Sequence, residues 1–461
     1  MEETSTCALK VSDVGEQFNT RRGIYKALNG VNILLKKGEI FGIAGESGCG
    51  KSTLGLTIMG LLPRNAFVTS GEVLLEGQDL VAAQRELALS CARTGKFNLR
   101  KSENVLKKQD KEMADIRGRR ISMVFQDPMT SLNPVLPVGY QIAEGILVHQ
   151  PELLAQRRLA RVKATKDDLE QILALLKEGE SAVYEYAKSR GLQGIEEQAL
   201  NIWRRNDLGE AKKEKMILSL HSEEQKLGTL ERTVLNNALE RKRTGSWLRL
   251  PGIKGAANRV LVKEGYVKAI ELLSMLEVPN PDKVVKMYPH ELSGGMRQRI
   301  TIAIALANNP QLIIMDEPTS ALDVTVQAQI LELIRHLKHR FNTSFLLISH
   351  DLSVLAEVCD RISIMYAGRI VEVASTEAIL KKPLHPYTKL LIASIPTVGG
   401  QEEHSLQGIG GTVPDMRNPP PGCAFHPRCP QATASCSTTV PEMVEVEEGH
   451  FIACFLGDKK C

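Results

Sequence analysis

No stretch of 18 or more apolar residues interrupts the 461-residue chain, so no segment is built to cross a bilayer as a helix. The opening residues, MEETSTCALK, are acidic and polar and lack the basic and apolar regions of a secretory signal. The expectation is therefore a cytosolic protein whose attachment to a membrane runs through a partner. Net charge is also scarce: 58 Lys and Arg face 54 Asp and Glu, leaving +4. So small an imbalance gives no argument for nucleic acid as a partner. No internal repeat is evident, which excludes a solenoid or a tandem array. What is present is ordinary for a soluble globular protein, with 43% hydrophobic and 24% charged residues. The length suits two or three domains with a sizeable core.

Along the chain, residues 8–45 read as strands and turns ending in the apolar strand Glu39–Gly45. A helix is predicted from Lys51, carrying Leu54, Ile58 and Leu61. Gly71–Leu80 fits a strand and turn, residues 81–115 a polar helix plus loop, and Ile121–Asp127 a strand. Residues 151–260 change to a helical pattern, with Leu169, Ile172, Leu173 and Leu176 at i, i+3, i+4 and i+7. Leu220, Leu227, Leu230 and Val234 approximate a second stripe. This stretch holds 21 Lys and Arg against 16 Asp and Glu, and Arg241–Gly255 reads as a loop leaving it. Gln311–Pro318 and Ser344–Asp351 are short apolar runs followed by helix, the pattern of a parallel sheet. From about residue 396, Gly, Pro and Cys accumulate and an irregular appended module is expected.

Two motifs carry the chemistry. GESGCGKST spans Gly45, Glu46, Ser47, Gly48, Cys49, Gly50, Lys51, Ser52 and Thr53 and matches G-x-x-x-x-G-K-[ST] between a strand and a helix. Glycines let backbone N–H groups turn in around phosphates, and the helix start adds its positive dipole end. Lys51 is placed to reach the β- and γ-phosphates of ATP, and Ser52 to offer an oxygen to Mg²⁺. The second motif, LIIMDE (Leu312–Glu317), ends an apolar strand in two adjacent acids. Asp316 can hold Mg²⁺ through water, and Glu317 can polarise an attacking water.

In carrying both motifs, the chain resembles the ABC ATPase family. ELSGGMRQR (Glu291–Arg299) is similar to that family's signature sequence, and its glycine pair at a helix start makes a second anion nest. The resemblance implies that Ser293, Gly294 and Gly295 complete the ATP site of another subunit, so that the working unit is a dimer. Gln126 in VFQDP resembles the Q-loop glutamine, a further Mg²⁺ contact. Asp323 in SALD resembles the D-loop acid, and His350 in LISHD the switch histidine. Phe18 stands where the family stacks an aromatic on adenine, with Tyr25 as its competitor. The implied fold is an α/β P-loop cassette with a mixed sheet and a helical subdomain over residues 1–380, followed by a C-terminal module over 381–461. Catalysis then falls to Glu317, His350 and Gln126.

PLHPYTKLLIASIP (Pro383–Pro396), FQDPMTSLNP (Phe125–Pro134) and the tail PPPGCAFHPRCPQATASC resemble the dipeptide and oligopeptide importer branch. Similar tails occur in relatives moving nickel, glutathione or oligosaccharides. The branch implies two membrane permeases, an extracytoplasmic binding protein, a paralogous second cassette and a peripheral position on the cytoplasmic membrane face. Cys423, Cys429, Cys436 and Cys454 are spaced C-x5-C-x6-C-x17-C, which is neither a paired zinc knuckle nor a ferredoxin run. Four thiolates suit a 4Fe–4S cluster or zinc, or they are free structural thiols. The resemblance favours the cluster.

The chain departs from the branch in one respect. Gln126 lies 167 residues before Ser293, and the excess falls in 151–260, a predicted helical insertion in the helical subdomain. Two other readings compete with the transporter engine. A non-transport ABC ATPase would bring tandem cassettes or coiled coils, and a nucleotide-gated scaffold would not need Glu317 and His350.

Overall fold

The computed structural model describes residues 7–94, 99–192, 194–205, 208–220, 253–320, 322–341, 343–395 and 409–457. The chain divides into two compact units, residues 1–126 with 309–461, and residues 127–308.

The first unit carries two sheets. Strands β1 (Cys7–Thr20), β2 (Gly23–Lys36), β4 (Ala66–Leu75) and β5 (Gln78–Asp79) form an antiparallel sheet in the order β2-β1-β4-β5. The remaining strands are β3 (Ile40–Ala44), β6 (Ile121–Val124), β7 (Leu312–Asp316), β8 (Ser344–Ser349), β9 (Arg361–Tyr366), β10 (Arg369–Ser375), β11 (Val444–Glu447) and β12 (His450–Ile452). They make an eight-stranded sheet ordered β11-β12-β10-β9-β3-β8-β7-β6. Its run from β9 to β6 is parallel. Every residue of β3, β7 and β8 is buried, which is why these strands read as unbroken apolar runs rather than alternating ones. The β9–β10 hairpin turns on Ala367 and Gly368, both at positive φ (46° and 73°), the backbone of a tight two-residue hairpin turn. The helix Lys51–Met59 packs on β2, β6 and β7, and Phe41, Ile43, Leu54, Ile58, Ile314 and Ile348 share its core.

The appended module differs from expectation. It is not wholly irregular: β12 pairs antiparallel with β10, and β11 with β12, so the tail extends the main sheet at its edge. The cause is a buried hub at Glu372 on β10. Its carboxylate accepts from the Leu384 and His385 backbone N–H groups (2.8 and 3.0 Å) and faces His450 Nε2 at 2.8 Å. A buried carboxylate is stable only when so satisfied. Pairing a strand against β10 also covers a sheet edge that would otherwise stay open. Residues 396–408 lie outside the described residues.

In the second unit, the described residues of 151–220 form five short helices: Pro151–Lys163, Lys166–Leu175, Glu180–Arg190, Ile195–Trp203 and Glu210–Leu218. Thr165 and Asp168 make a reciprocal capping box that starts the second, and Gly191 at φ 66° ends the third. Leu169, Ile172 and Leu176 are buried with Val183, Ile195, Leu200 and Ile217 in an apolar core of their own. Of the second expected stripe, Leu220 is buried in the same core, and Leu227, Leu230 and Val234 lie outside the described residues. So does most of the expected loop Arg241–Gly255, although its last residues from Ile253 belong to the helix Ile253–Met275. Residues 81–115 supply two helices, Ala82–Thr94 and Leu99–Ala114. Among the described residues, no helix is long and apolar enough to cross a membrane.

Candidate nucleotide site

The phosphate loop leaves β3 and enters the helix Lys51–Met59. Gly45 approaches the β9 backbone so closely that an added Cβ would meet Met365 O at 2.2 Å, and Gly50 adopts φ 109°. Only glycine satisfies both constraints. Lys51 is buried and folds its ammonium back on the Gly45 and Glu46 carbonyls, at 2.7 and 3.0 Å. A buried cation held by carbonyl oxygens at the start of this helix suits a phosphate. Ser52 Oγ donates to Asp316 Oδ1 at 3.0 Å. Burial pushes the Asp316 carboxyl up, against the Ser52 hydrogen bond and with help from the Glu317 charge. A divalent cation would relieve that burial, so the donor set fits Mg²⁺.

Glu317 follows β7, and its carboxylate is shared between two residues expected at the site as Mg²⁺ and γ-phosphate contacts rather than as its partners. Gln126 Nε2 donates to Oε2 at 2.8 Å, and His350 Nδ1 faces Oε1 at 2.9 Å. The three residues leave the ends of β6, β7 and β8, the C-terminal edge of the parallel strands, where open α/β sheets collect ligands. Asp323 accepts from the Val326 N–H at 3.0 Å, at the start of the helix Val324–Phe341. Phe18 and Tyr25 are cross-strand partners on β1 and β2 with ring centroids 6.3 Å apart. Tyr25 is the one that reaches the phosphate loop, its hydroxyl 3.5 Å from Gly48 O. Ser47, Gly48 and Ser52 face solvent, and Thr53 is half-buried in the first helical turn. The Cys49 thiol is buried behind them.

A family model described as ABC transporter matches residues 28–218 and 203–320, well over half of the chain. The chain belongs to the ABC transporter family. A second model, the oligopeptide/dipeptide transporter C-terminal region, matches residues 371–436. A probable peptide ABC transporter ATP-binding protein of Sinorhizobium fredii is 34% identical, over 97% of this chain and 94% of that protein. An oligopeptide transport ATP-binding protein of Bacillus subtilis is 35% identical, over 98% and 89%. A dipeptide transport ATP-binding protein of the same organism is 33% identical, over 98% and 95%.

In this ABC protein the signature residues belong to the second unit. Ser293 caps the helix Gly294–Leu306, its Oγ accepting from the Met296 N–H at 3.3 Å. Ser293 and Gly294 are exposed and Gly295 is half-buried.

Among the described residues, no group of three or more His, Cys, Asp or Glu side chains is arranged to hold a metal ion. Cys423, Cys429, Cys436 and Cys454 are free thiols. Cys436 Sγ instead accepts from the Thr433 N–H at 3.4 Å and lies 3.2 Å from the Thr433 hydroxyl. The Cys423 N–H donates to Cys436 O at 2.8 Å. Burial holds the Cys454 thiol up at about 11, with the other three thiols adding to it. Cys461 lies outside the described residues. Two residues that the motifs do not single out also reach the phosphate loop: Tyr387 and Arg428 both contact Glu46. Both lie more than 300 residues downstream of it, so spacing carries no signal for them.

Proposed function

We propose that this chain is the ATP-hydrolysing engine of a peptide importer, working at the cytoplasmic face of a membrane through permease subunits. The observation that carries the ATPase reading is Glu317 held between Gln126 and His350, beside the Ser52–Asp316 pair. Support for peptide cargo comes from the names of the relatives and from the C-terminal model over 371–436.

In this mechanism Lys51 and the loop N–H groups hold the phosphates of ATP. Mg²⁺, held by Ser52, Asp316 and Gln126, would neutralise charge on the phosphate oxygens. Glu317 accepts a hydrogen bond from water and orients it for in-line attack on the γ-phosphate. His350 fixes the Glu317 carboxylate and, with Gln126, reports the state of the γ-phosphate. Phe18 or Tyr25 stacks on the adenine. Ser293, Gly294 and Gly295 close on the nucleotide of a second, paralogous cassette, with Asp323 at the same junction. An extracytoplasmic binding protein delivers the cargo.

Residues 1–380 then make the cassette and 381–461 its C-terminal module. Residues 151–260 are a helical insertion. Its own apolar core supports that reading, as does the division of the family match into two overlapping stretches, 28–218 and 203–320. For the four C-terminal cysteines, the resemblance of the tail favours a 4Fe–4S cluster, although no converging ligand set stands among the described residues. Iron and acid-labile sulfide in anaerobically purified protein decide between cluster and free thiols.

The test of the engine is Glu317→Gln. MgATP binding should persist while hydrolysis falls by about 100-fold or more. Hydrolysis that survives the substitution, in protein reconstituted with its permeases, would remove Glu317 from the mechanism.

A further inference from the structure

The C-terminal module reaches back to the nucleotide site. Arg428 is only 6% exposed and grips Glu46, the second residue of the phosphate loop, with both arms of its guanidinium: Nη1 to Oε2 at 2.7 Å and Nη2 to Oε1 at 2.9 Å. Its other donors are also engaged. Nε donates to Gly410 O at 2.9 Å, Nη1 to Tyr366 Oη at 3.2 Å and Nη2 to Ile409 O at 3.2 Å. All five N–H groups therefore have acceptors, and the guanidinium also lies 5.7 Å from the Tyr366 ring centroid. From the other side, the Glu46 N–H donates to the hydroxyl of buried Tyr387 at 2.9 Å. Tyr387, Tyr366 and Phe425 pack as one aromatic cluster, with ring centroids 4.7 to 5.3 Å apart. A second tether, Lys26 N–H to Met416 O at 3.1 Å, joins the module to β2 beside Tyr25.

We propose that Arg428 is a positioning residue of the ATP site: by clamping Glu46 it holds the phosphate loop ready for nucleotide and cancels a negative charge beside the phosphates. The proposal rests on the nucleotide-site reading above. A glycine-rich loop has many conformations to lose when it closes on phosphate, and fixing it beforehand removes that cost from binding. A lone carboxylate on such a loop would oppose a polyanion, whereas a bidentate arginine pair neutralises it and sets its direction. Lysine could supply the charge but not the fork.

The experiment measures equilibrium MgATP affinity and thermal unfolding of the full chain, as wild type, Arg428→Ala, Arg428→Lys, Glu46→Ala and the Arg428→Ala/Glu46→Ala pair. Arg428→Ala should raise the Kd for MgATP by about tenfold and Arg428→Lys by less. In the Glu46→Ala background, removing Arg428 should change Kd no further. A purely structural role would lower the unfolding temperature and leave the Kd of the folded protein in place. The proposal is overturned if folded Arg428→Ala binds within about twofold of wild type, or if its effect is the same in both backgrounds. Should Arg428→Ala fail to fold, Arg428→Gln removes the charge and the fork while keeping most of the bulk, and an unchanged Kd there overturns it equally. Wild-type chain that binds no MgATP would instead sink the nucleotide-site reading.

Discussion

Glu317 holds its backbone at φ 48°, a left-handed conformation that side-chain-bearing residues seldom adopt. Here it is held by the Glu317 N–H bonded to Ile348 O at 2.8 Å and by the two side-chain partners of the carboxylate. Such strain persists where surrounding structure overdetermines it, and it gathers at functional sites. Glu16 is a different case. It is buried on β1 with its carboxyl bonded to Thr57 of the phosphate-loop helix. Burial pushes its pKa up to about 7, against the Thr57 hydrogen bond. An unfolded glutamate titrates near 4.5. Between these values the folded chain holds the extra proton, so stability falls as pH rises through that window and levels off above it. A shift of this size corresponds to ~3 kcal/mol. Glu16→Gln should remove that decline. The check is chemical denaturation of both proteins from about pH 4.5 to about pH 8, a range that spans the window. A difference between them that does not change with pH would show that Glu16 titrates normally.

Among the elements, the buried parallel strands were the most legible. β3, β7 and β8 each coincide with an apolar run, because both of their faces are covered. The stripe Leu169, Ile172 and Leu176 was legible for a similar reason, since one face of its helix is buried. What local pattern could not reveal was how the short helices connect to the rest of their unit. Arg157 is fully buried, and its guanidinium meets Glu197, Glu264 at 3.5 Å and Glu271. It thus links the helix Pro151–Lys163 to Ile195–Trp203 and to Ile253–Met275. Burial works against its charge, and the three carboxylates outweigh that and hold its pKa above the ordinary value. Nothing local marks Arg157 as buried, because its partners lie 40 to 114 residues away. Arg157→Ala removes the buried cation shared by Glu197, Glu264 and Glu271, leaving Lys268 against Glu197 and Glu271, and should cost about 3–5 kcal/mol. Urea unfolding measures it, and a loss under ~1 kcal/mol would mean that water or a neighbouring cation replaces the arginine.

At the scale of the whole molecule, the site was legible wherever its chemistry is encoded in a contiguous motif. Lys51, Ser52, Asp316 and Glu317 are each identified by the few residues around them, and the fold brings β3 and β7 into one sheet. Arg428 was illegible because its partner Glu46 belongs to a motif at the other end of the chain. The spacing of the four C-terminal cysteines left their role open, because it matches neither a zinc knuckle nor a ferredoxin run. The remaining question of scale is whether Ser293 serves the nucleotide held by Lys51 of its own chain or one held by a second cassette. Two substitutions separate these cases in the assembled transporter. If the signature acts across subunits, Lys51→Ala and Ser293→Arg disable different sites. Each alone should then lower vanadate-trapped nucleotide from about two per complex to about one, and the double variant should trap none, as independent sites require. If the signature acts within its own chain, both substitutions disable the same site, and the double variant traps as much as either single. That second result would end the two-cassette reading of this site, because only a composite site divides the phosphate loop and the signature between two chains.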